Sequence, residues 1–158
     1  MKKFEFTGET RVWCGYTLRR IRALVDIPTH CVKKGDLGGW IEKNKNLSHD
    51  GNAWVYGNAQ VYGNAQVYDN AWVYGDALVY GDAWVYGDVV VCGNAVVSDD
   101  AMVCGNAVVC GNAMVCDDAM VCGNAVVCGN AMVCGNAEVC VNMVVCDDAQ
   151  VYTRNTRN

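Results

Sequence analysis

A repeat of six residues runs through about two thirds of the chain and constrains its fold more than any other feature. From Gly51 to Tyr152 there are 17 consecutive hexapeptides without an insertion or a deletion, with the consensus Gly-Asn/Asp-Ala-x-Val-Tyr/Cys. The fifth position is Val in all 17 units, and the third is Ala in 15, the exceptions being Val89 and Met143. A fixed short period indicates an architecture in which each unit packs on its neighbours.

Each hexapeptide predicts one short strand and one turn. In the Ala-x-Val segment, Ala and Val share one face and the variable residue points the other way. Gly-Asn or Gly-Asp supplies the turn, because these residues tolerate a positive φ. Such short units leave no room for hairpins or intervening helices. We therefore predict an all-β fold, a single-stranded, three-sided parallel β-helix in which three units make a coil of 18 residues, with between five and six coils.

The repeat resembles the hexapeptide-repeat family of left-handed β-helix proteins. The shared pattern is an aliphatic residue, a turn pair with Asn or Asp, and a small residue four positions on. The segments 35–42 and 46–50, which lead into the repeat, look like small β-helix proteins of phages and bacteria that are described as polymer-forming. This resemblance implies a left-handed coil, and the resemblance to phage proteins implies a binding partner in the host.

The chain divides into three segments by period and composition. Residues 1–50 break the repeat and are predicted to cap the β-helix, whose end would otherwise expose unpaired backbone groups. Within them, Leu47 is expected in the column of the Ala residues, so that an imperfect first unit covers 45–50. Residues 51–152 are the predicted β-helix, and 153–158 are a polar C-terminal tail.

Composition excludes several classes of protein. A chain that is 53% apolar is too hydrophobic for intrinsic disorder. No run of about 18 apolar residues is present, so a membrane span is excluded. We expect no signal peptide, because no apolar region follows Met1, and we expect the 11 cysteines to be free thiols in the cytoplasm.

Charge is divided unevenly along the chain. Residues 1–50 hold 10 Lys or Arg and 6 Asp or Glu, whereas residues 51–152 hold 11 Asp or Glu and no Lys or Arg. Phosphate groups are bound mainly by positive charge, so we predict no direct nucleic-acid binding on the β-helix.

One predicted outer side is apolar along its whole length. An apolar strip of this size is typical of a protein interface, with aromatic residues as its anchors. The partner we expect is a second copy of the chain, in a homodimer or a larger oligomer. The alternative is that the outward residues are only tolerated products of repeat duplication. The predicted interface consists of Trp54, Trp72, Val90, Val108, Val126 and Val144, with Tyr56 and Tyr74 beside them.

Three further clusters each have a structural and a functional interpretation. Arg19, Arg20 and Arg22 form either a solvated or internally paired face or a docking patch for an acidic partner. The stacked cysteines of the repeat are either small hydrophobic side chains or ligands of a soft metal, and we favour the former. Four carboxylates predicted to share a corner are either hydrated or a Ca²⁺ site, and we favour the former and predict no bound metal. They belong to Asp99, Asp100, Asp117 and Asp118.

The sequence argues against an enzyme. Hexapeptide-repeat acyltransferases use a positioned His as general base, usually beside an extruded loop. This chain has only His30 and His49, both outside the repeat, and its repeat has no insertion. We therefore expect no catalytic residues and no cofactor, and a protein that acts by protein–protein contact through self-association. The alternative is a phage-type anti-defence inhibitor of a host nuclease or CRISPR effector.

Overall fold

A computed structural model describes residues 1–153, which contain 20 β-strands, two 3-10 turns at Pro28–His30 and Asn44–Asn46, and no α-helix. The repeat forms an all-β parallel solenoid of about six turns with 18 residues per turn, which confirms the predicted fold class. Its handedness stays a prediction. The strands are β1 (Phe4–Trp13), β2 (Tyr16–Ala23), β3 (Leu37–Ile41), β4 (Trp54–Val55), β5 (Gln60–Val61), β6 (Gln66–Val67), β7 (Trp72–Val73), β8 (Leu78–Val79), β9 (Trp84–Val85), β10 (Val90–Val91), β11 (Val96–Val97), β12 (Met102–Val103), β13 (Val108–Val109), β14 (Met114–Val115), β15 (Met120–Val121), β16 (Val126–Val127), β17 (Met132–Gly135), β18 (Glu138–Val139), β19 (Val144–Val145) and β20 (Gln150–Thr153).

Every third strand of the repeat lies in the same sheet, so the coil has three sides. The five-stranded sheet runs from β6 to β18, and the six-stranded sheet from β4 to β19. The nine-stranded sheet contains β5, β8, β11, β14, β17 and β20, and it is extended by β3, β2 and β1. The inward-facing Ala and Val side chains between Ala53 and Val139 are at most 1% exposed, which confirms the predicted core.

The corners explain the invariance of the turn residues. Gly105 has a φ of +72°, which favours glycine, and a β-carbon there would lie 2.9 Å from the backbone nitrogen of Gly123 in the next coil. The Asn residues that follow form ladders of side-chain amides. Asn106 donates to Oδ1 of Asn124, and Asn124 donates to Oδ1 of Asn142, each over 3.1 Å. Each corner therefore depends both on the left-handed conformation of its first residue and on contacts with the next coil.

Val141 breaks the corner pattern and gives a first testable expectation. It stands where most units have Gly, with a φ of +60°, and its side chain is 66% exposed. A β-branched residue is strained in this conformation, and exposure gives it little compensating burial. We expect Val141→Gly to raise the free energy of unfolding by about 1 kcal/mol.

Chemical denaturation of dilute protein measures this gain. The matched control is Val144→Gly, because Val144 is 63% exposed but lies in the extended strand β19. Glycine weakens a strand interior, so this control should lose stability. Equal effects from the two substitutions would contradict the assignment of strain to Val141.

The N-terminal segment is an antiparallel extension of the nine-stranded sheet. β1 pairs with β2 and β2 with β3, both antiparallel, whereas β3 pairs with β5 in parallel. Parallel pairing therefore begins before the predicted boundary at Gly51. Phe4 and Ile21 of this extension are buried in the same cluster as the solenoid core. The first strands thus close the end of the Ala and Val stack.

The position expected for Leu47 was wrong. It bridges Val67, so it lies in the Val column and not in the Ala column. The pairing of Ile41 with Val61 also has a separation of 20 residues. The first coil therefore contains two residues more than the others. They lie after Leu47, because Leu47 also pairs at a separation of 20 residues, whereas Val55 pairs with Val73 at a separation of 18.

In the turn Asn44–Asn46, the side chain of Asn46 makes hydrogen bonds that the backbone of a preceding coil makes elsewhere in the repeat. Its side chain is fully buried, and its amide nitrogen donates to the carbonyl oxygens of Gly63 at 3.2 Å and Ala65 at 2.9 Å. Its Oδ1 accepts a hydrogen bond from the backbone nitrogen of Lys43 at 2.9 Å. Buried backbone groups need such partners. One side chain therefore satisfies carbonyl groups that a preceding coil would otherwise bond.

Candidate functional site

The predicted interface column forms as expected but is not open along its whole length. The six residues stack in register on the six-stranded sheet, one coil apart, and we call this surface the first face. Its first coils lie beside the N-terminal segment 24–36, and its later coils do not. The column that defines the first face is Trp54, Trp72, Val90, Val108, Val126 and Val144.

Trp54 was wrongly predicted to contact a partner. Its side chain is fully buried, in one cluster with Ile21, Ile27 and Val32 of the N-terminal segment. Gly38 leaves room for its ring, since a β-carbon there would lie 2.8 Å from Cζ2 of Trp54. The repeat places Trp54 at an outward position, but β4 is the edge strand of its sheet and the cap covers it. Trp54 is therefore a core residue.

Trp72 is partly covered by the same segment. The imidazole of His30 stacks on its indole ring, with centroids 5.0 Å apart, and Nε2 of His30 lies 3.1 Å from the carbonyl oxygen of Asn70. Tyr74 also packs against Trp72, with ring centroids 4.4 Å apart. Tyr56 is 48% exposed. The aromatic end of the first face is thus mainly engaged within the chain.

The aliphatic part of the first face has no covering segment among residues 1–153. Val90, Val108 and Val126 are half-buried within their flat sheet, and Val144 is exposed. The open apolar surface therefore lies at the C-terminal half of the predicted interface.

The three arginines of the N-terminal segment make contacts within the chain. Arg22 donates to Oε1 of Glu5 from Nη2 at 2.6 Å and from Nε at 3.0 Å. Arg20 lies 3.5 Å from Glu9, and Arg19 lies over the ring of Phe6. These contacts favour the internally paired interpretation over a docking patch. Exposed pairs of this kind contribute little stability.

The four aspartates do not converge on one point in residues 1–153, which favours the hydrated corner over a Ca²⁺ site. Asp99 and Asp117 take the glycine position of the corner, with φ of +58° and +57°. Their carboxylates accept backbone hydrogen bonds from the next coil, Asp99 from the nitrogen of Asp117 at 3.4 Å and Asp117 from Gly135 at 2.9 Å. Asp100 and Asp118 are exposed beside them. The carboxylates of Asp99 and Asp117 thus accept backbone hydrogen bonds, whereas Asp100 and Asp118 face solvent.

All 11 cysteines are free thiols, and nine of them stack in three ladders. One short ladder has a feature that the sequence reasoning missed. Three possible metal-ligand atoms lie within 4.8 Å of one another: the sulfurs of Cys116 and Cys134 and a carboxylate oxygen of Asp117. Residues 1–153 contain no other group of three or more His, Cys, Asp or Glu side chains that lie this close. Burial, followed by the negative charge of Asp117 and by Cys134, raises the pKa of Cys116 to about 12. The signal was the pair Cys116-Asp117, where Asp replaces the usual corner glycine.

Both histidines pack between the N-terminal segment and the first coils. His49 stacks on Phe4 with ring centroids 4.2 Å apart, and its Nδ1 accepts a hydrogen bond from the backbone nitrogen of Lys3. Burial lowers the pKa of His49 and that of His30, and positive charge on Lys3 lowers both further. Each imidazole therefore has a role in holding the cap.

A family model identifies part of the repeat. The YdcK beta solenoid repeat matches residues 59–75, 65–81 and 71–87. Successive matches begin six residues apart, which is the length of one hexapeptide. The chain is thus a repeat β-solenoid protein. No curated protein matches it. Residues 1–153 contain no helix with the length and apolar character that crossing a membrane requires.

Proposed function

We propose that this chain is a non-enzymatic protein-binding solenoid that self-associates through the aliphatic part of the first face. The observation that carries this proposal is the uninterrupted column of Val90, Val108, Val126 and Val144 on a flat sheet. The other two sheets carry polar residues in the corresponding columns, Gln66 among them. Burying this column against a partner removes apolar surface from water without leaving a charge unpaired.

A second copy is the partner that fits this surface best. Two flat sheets pack face to face about 10 Å apart, and a two-fold axis would place the same column on both sides. From Val90 to Val144 the column spans about 14 Å, at about 4.8 Å per strand. A stable complex buries about 800 Å² on each partner, so this narrow face predicts a dimer with a dissociation constant in the micromolar range.

The test introduces charge into the centre of the first face. Val108 and Val126 are outward, half-buried and adjacent, so Val108→Lys with Val126→Lys places two ammonium groups in the proposed interface. We expect the double variant to remain monomeric at concentrations where the unaltered chain dimerises, because burying an unpaired charge is strongly unfavourable. Sedimentation velocity over a concentration series measures this change.

A matched control lies on the five-stranded sheet. Met102 and Met120 are also outward, half-buried and one coil apart, so Met102→Lys with Met120→Lys adds the same charge elsewhere. This control should dimerise like the unaltered chain, and circular dichroism should show both double variants folded. The proposal would be contradicted if the unaltered chain stayed monomeric at every concentration, or if both double variants lost dimerisation to the same extent.

Three observations support a non-enzymatic role in a reducing compartment such as the cytoplasm. Both histidines are engaged in packing the cap. The 11 thiols are unpaired. The interior is filled by Ala and Val, which leaves no space for a cofactor inside the coil. A hexapeptide-repeat acyltransferase is accordingly the least supported alternative.

An exposed acidic column favours a second candidate, an anti-defence inhibitor of the phage type. Asp82, Asp100 and Asp118 are exposed at equivalent corners one coil apart. A regular row of carboxylates offers a surface to a basic nucleic-acid groove on a host nuclease or CRISPR effector. We expect the triple replacement by Asn to abolish inhibition of such an enzyme in a cleavage assay. No inhibition by the unaltered chain would remove this candidate.

A further inference from the structure

The short cysteine ladder on the nine-stranded sheet carries a group of metal ligands. β14 and β17 pair in register, so Cys116 and Cys134 follow equivalent positions in adjacent coils. Asp117 lies at the corner directly after Cys116, with the left-handed φ of +57° that directs the chain into the next side. The three donor atoms lie within 4.8 Å of one another. We propose that Cys116, Cys134 and Asp117 bind one thiophilic divalent cation of the Zn²⁺ type.

The donor set determines the class of ion. Zn²⁺ is bound tetrahedrally by sulfur at about 2.3 Å and by carboxylate oxygen at about 2.0–2.2 Å. Two sulfurs of such a site are separated by about 3.8 Å, so a closure of about 1 Å through side-chain rotation is sufficient. Ca²⁺ needs 6–8 oxygen ligands and is not suited to two sulfurs. A water molecule would complete the set of four.

Asp117 is positioned for this role by the fold. Its Oδ2 accepts a hydrogen bond from the backbone nitrogen of Gly135 at 2.9 Å, which directs the carboxylate toward the coil that contains Cys134. Its Oδ1 accepts no hydrogen bond from residues 1–153 and is available to an ion. The orientation of a ligand by a backbone group is typical of metal sites.

The surroundings enclose the two sulfurs along the ladder. Cys134 is 9% exposed, and Cys116 is half-buried. The coil below contributes Ser98, which is 3% exposed, and the coil above contributes Tyr152, which pairs with Cys134. A low-dielectric position strengthens attraction between a cation and anionic ligands.

Binding of an ion changes both the charge and the protonation of this group. Two thiolates beside a carboxylate would repel one another, and a divalent cation between them replaces that repulsion by attraction. Binding one M²⁺ to two thiols forms two metal–sulfur bonds and releases two protons to solvent. The bound complex then carries one negative charge, contributed by Asp117.

Not every stacked cysteine pair has a carboxylate beside it. Cys110 and Cys128 also stack in adjacent coils, but Gly111 and Gly129 follow them, so no carboxylate lies at that corner. They form a matched control with two thiols at the same spacing and no oxygen ligand.

The experiment titrates reduced, chelator-treated protein with Zn²⁺ by calorimetry. We expect one ion to bind per chain and the thermal midpoint of unfolding to rise when Zn²⁺ is present. Titrations in buffers of different ionisation enthalpy should show that two protons are released for each ion bound. Cys116→Ser with Cys134→Ser should abolish binding, and Cys110→Ser with Cys128→Ser should retain it. Asn tolerates the same φ, so Asp117→Asn keeps the corner. It should weaken binding by at least about tenfold, because loss of an outer-shell partner alone costs that much and Asp117 is proposed as a direct ligand.

The competing outcomes are distinct. Equal loss in both double variants would show adventitious thiol binding and overturn the proposal, as would the absence of binding by the unaltered chain. Retained affinity in Asp117→Asn would overturn the assignment of the carboxylate. Circular dichroism of each variant shows whether the fold is retained, so that unfolding is not mistaken for loss of a ligand.

Discussion

Replacing Trp54 by Ala is expected to lower the free energy of unfolding by about 3–5 kcal/mol, the range for removing a buried large aromatic side chain. Trp54 is fully buried where the N-terminal segment meets the first coil. The substitution removes its packing in the cluster that also contains Ile21 and Ile27, and it leaves a cavity. Denaturant unfolding followed by circular dichroism measures the loss.

Trp84 provides the matched control for this substitution. It occupies the same outward position of its hexapeptide, but its side chain is 43% exposed. Trp84→Ala should therefore cost less than about 1 kcal/mol. If Trp54→Ala left stability unchanged, the cap would not pack on this residue. If it instead changed only the oligomeric state, Trp54 would be an interface residue after all.

Replacing Asn46 by Asp is expected to lower the free energy of unfolding by at least about 3 kcal/mol, because it buries a charge that keeps one backbone donor, the nitrogen of Lys43. The amide nitrogen that donates to Gly63 and Ala65 would become a carboxylate oxygen facing their carbonyl oxygens. Both acceptors would lose their donor inside the protein. Thermal and denaturant unfolding at neutral pH measure the effect.

Acidification and a second variant test the cause of this loss. Protonation restores one donor to the Asp side chain, so the difference from the unaltered chain should narrow as the pH falls. Asn106→Asp is the matched control, because Asn106 donates to Asn124 from an exposed corner. Its cost should stay within about 0.5 kcal/mol. A large and equal loss in both variants would mean that the amide ladders, rather than the cap, depend on Asn.

The cap differs from the repeat in how its structure is encoded. In the repeat, the same pattern of an inward, an outward and an inward position occurs 17 times, so a wrong assignment of one unit would disagree with all the others. In residues 1–50 each contact is unique. Asn46 reaches across to Gly63, and His30 reaches Asn70, over separations that no period predicts.

The metal-ligand group illustrates the same distinction. Sequence spacing correctly stacks Cys116 below Cys134, and it also stacks Asp99 below Asp117. Spacing does not tell which atoms of a corner face each other. The left-handed φ of Asp117 and its hydrogen bond to Gly135 direct its carboxylate toward the thiol ladder. The four carboxylates consequently separate, and a different set of ligands comes together.

The sequence alone determined the all-β solenoid, its 18-residue coil, its Ala and Val interior and the in-register columns on its outside. It could do so because period and side-chain alternation are local properties of the chain. The tertiary structure decided which outward positions remain open. Trp54 and Val144 occupy equivalent positions in their hexapeptides, yet one is fully buried and the other is 63% exposed. The difference arises because a segment distant in sequence packs over the first coil, and burial depends on that packing rather than on the repeat.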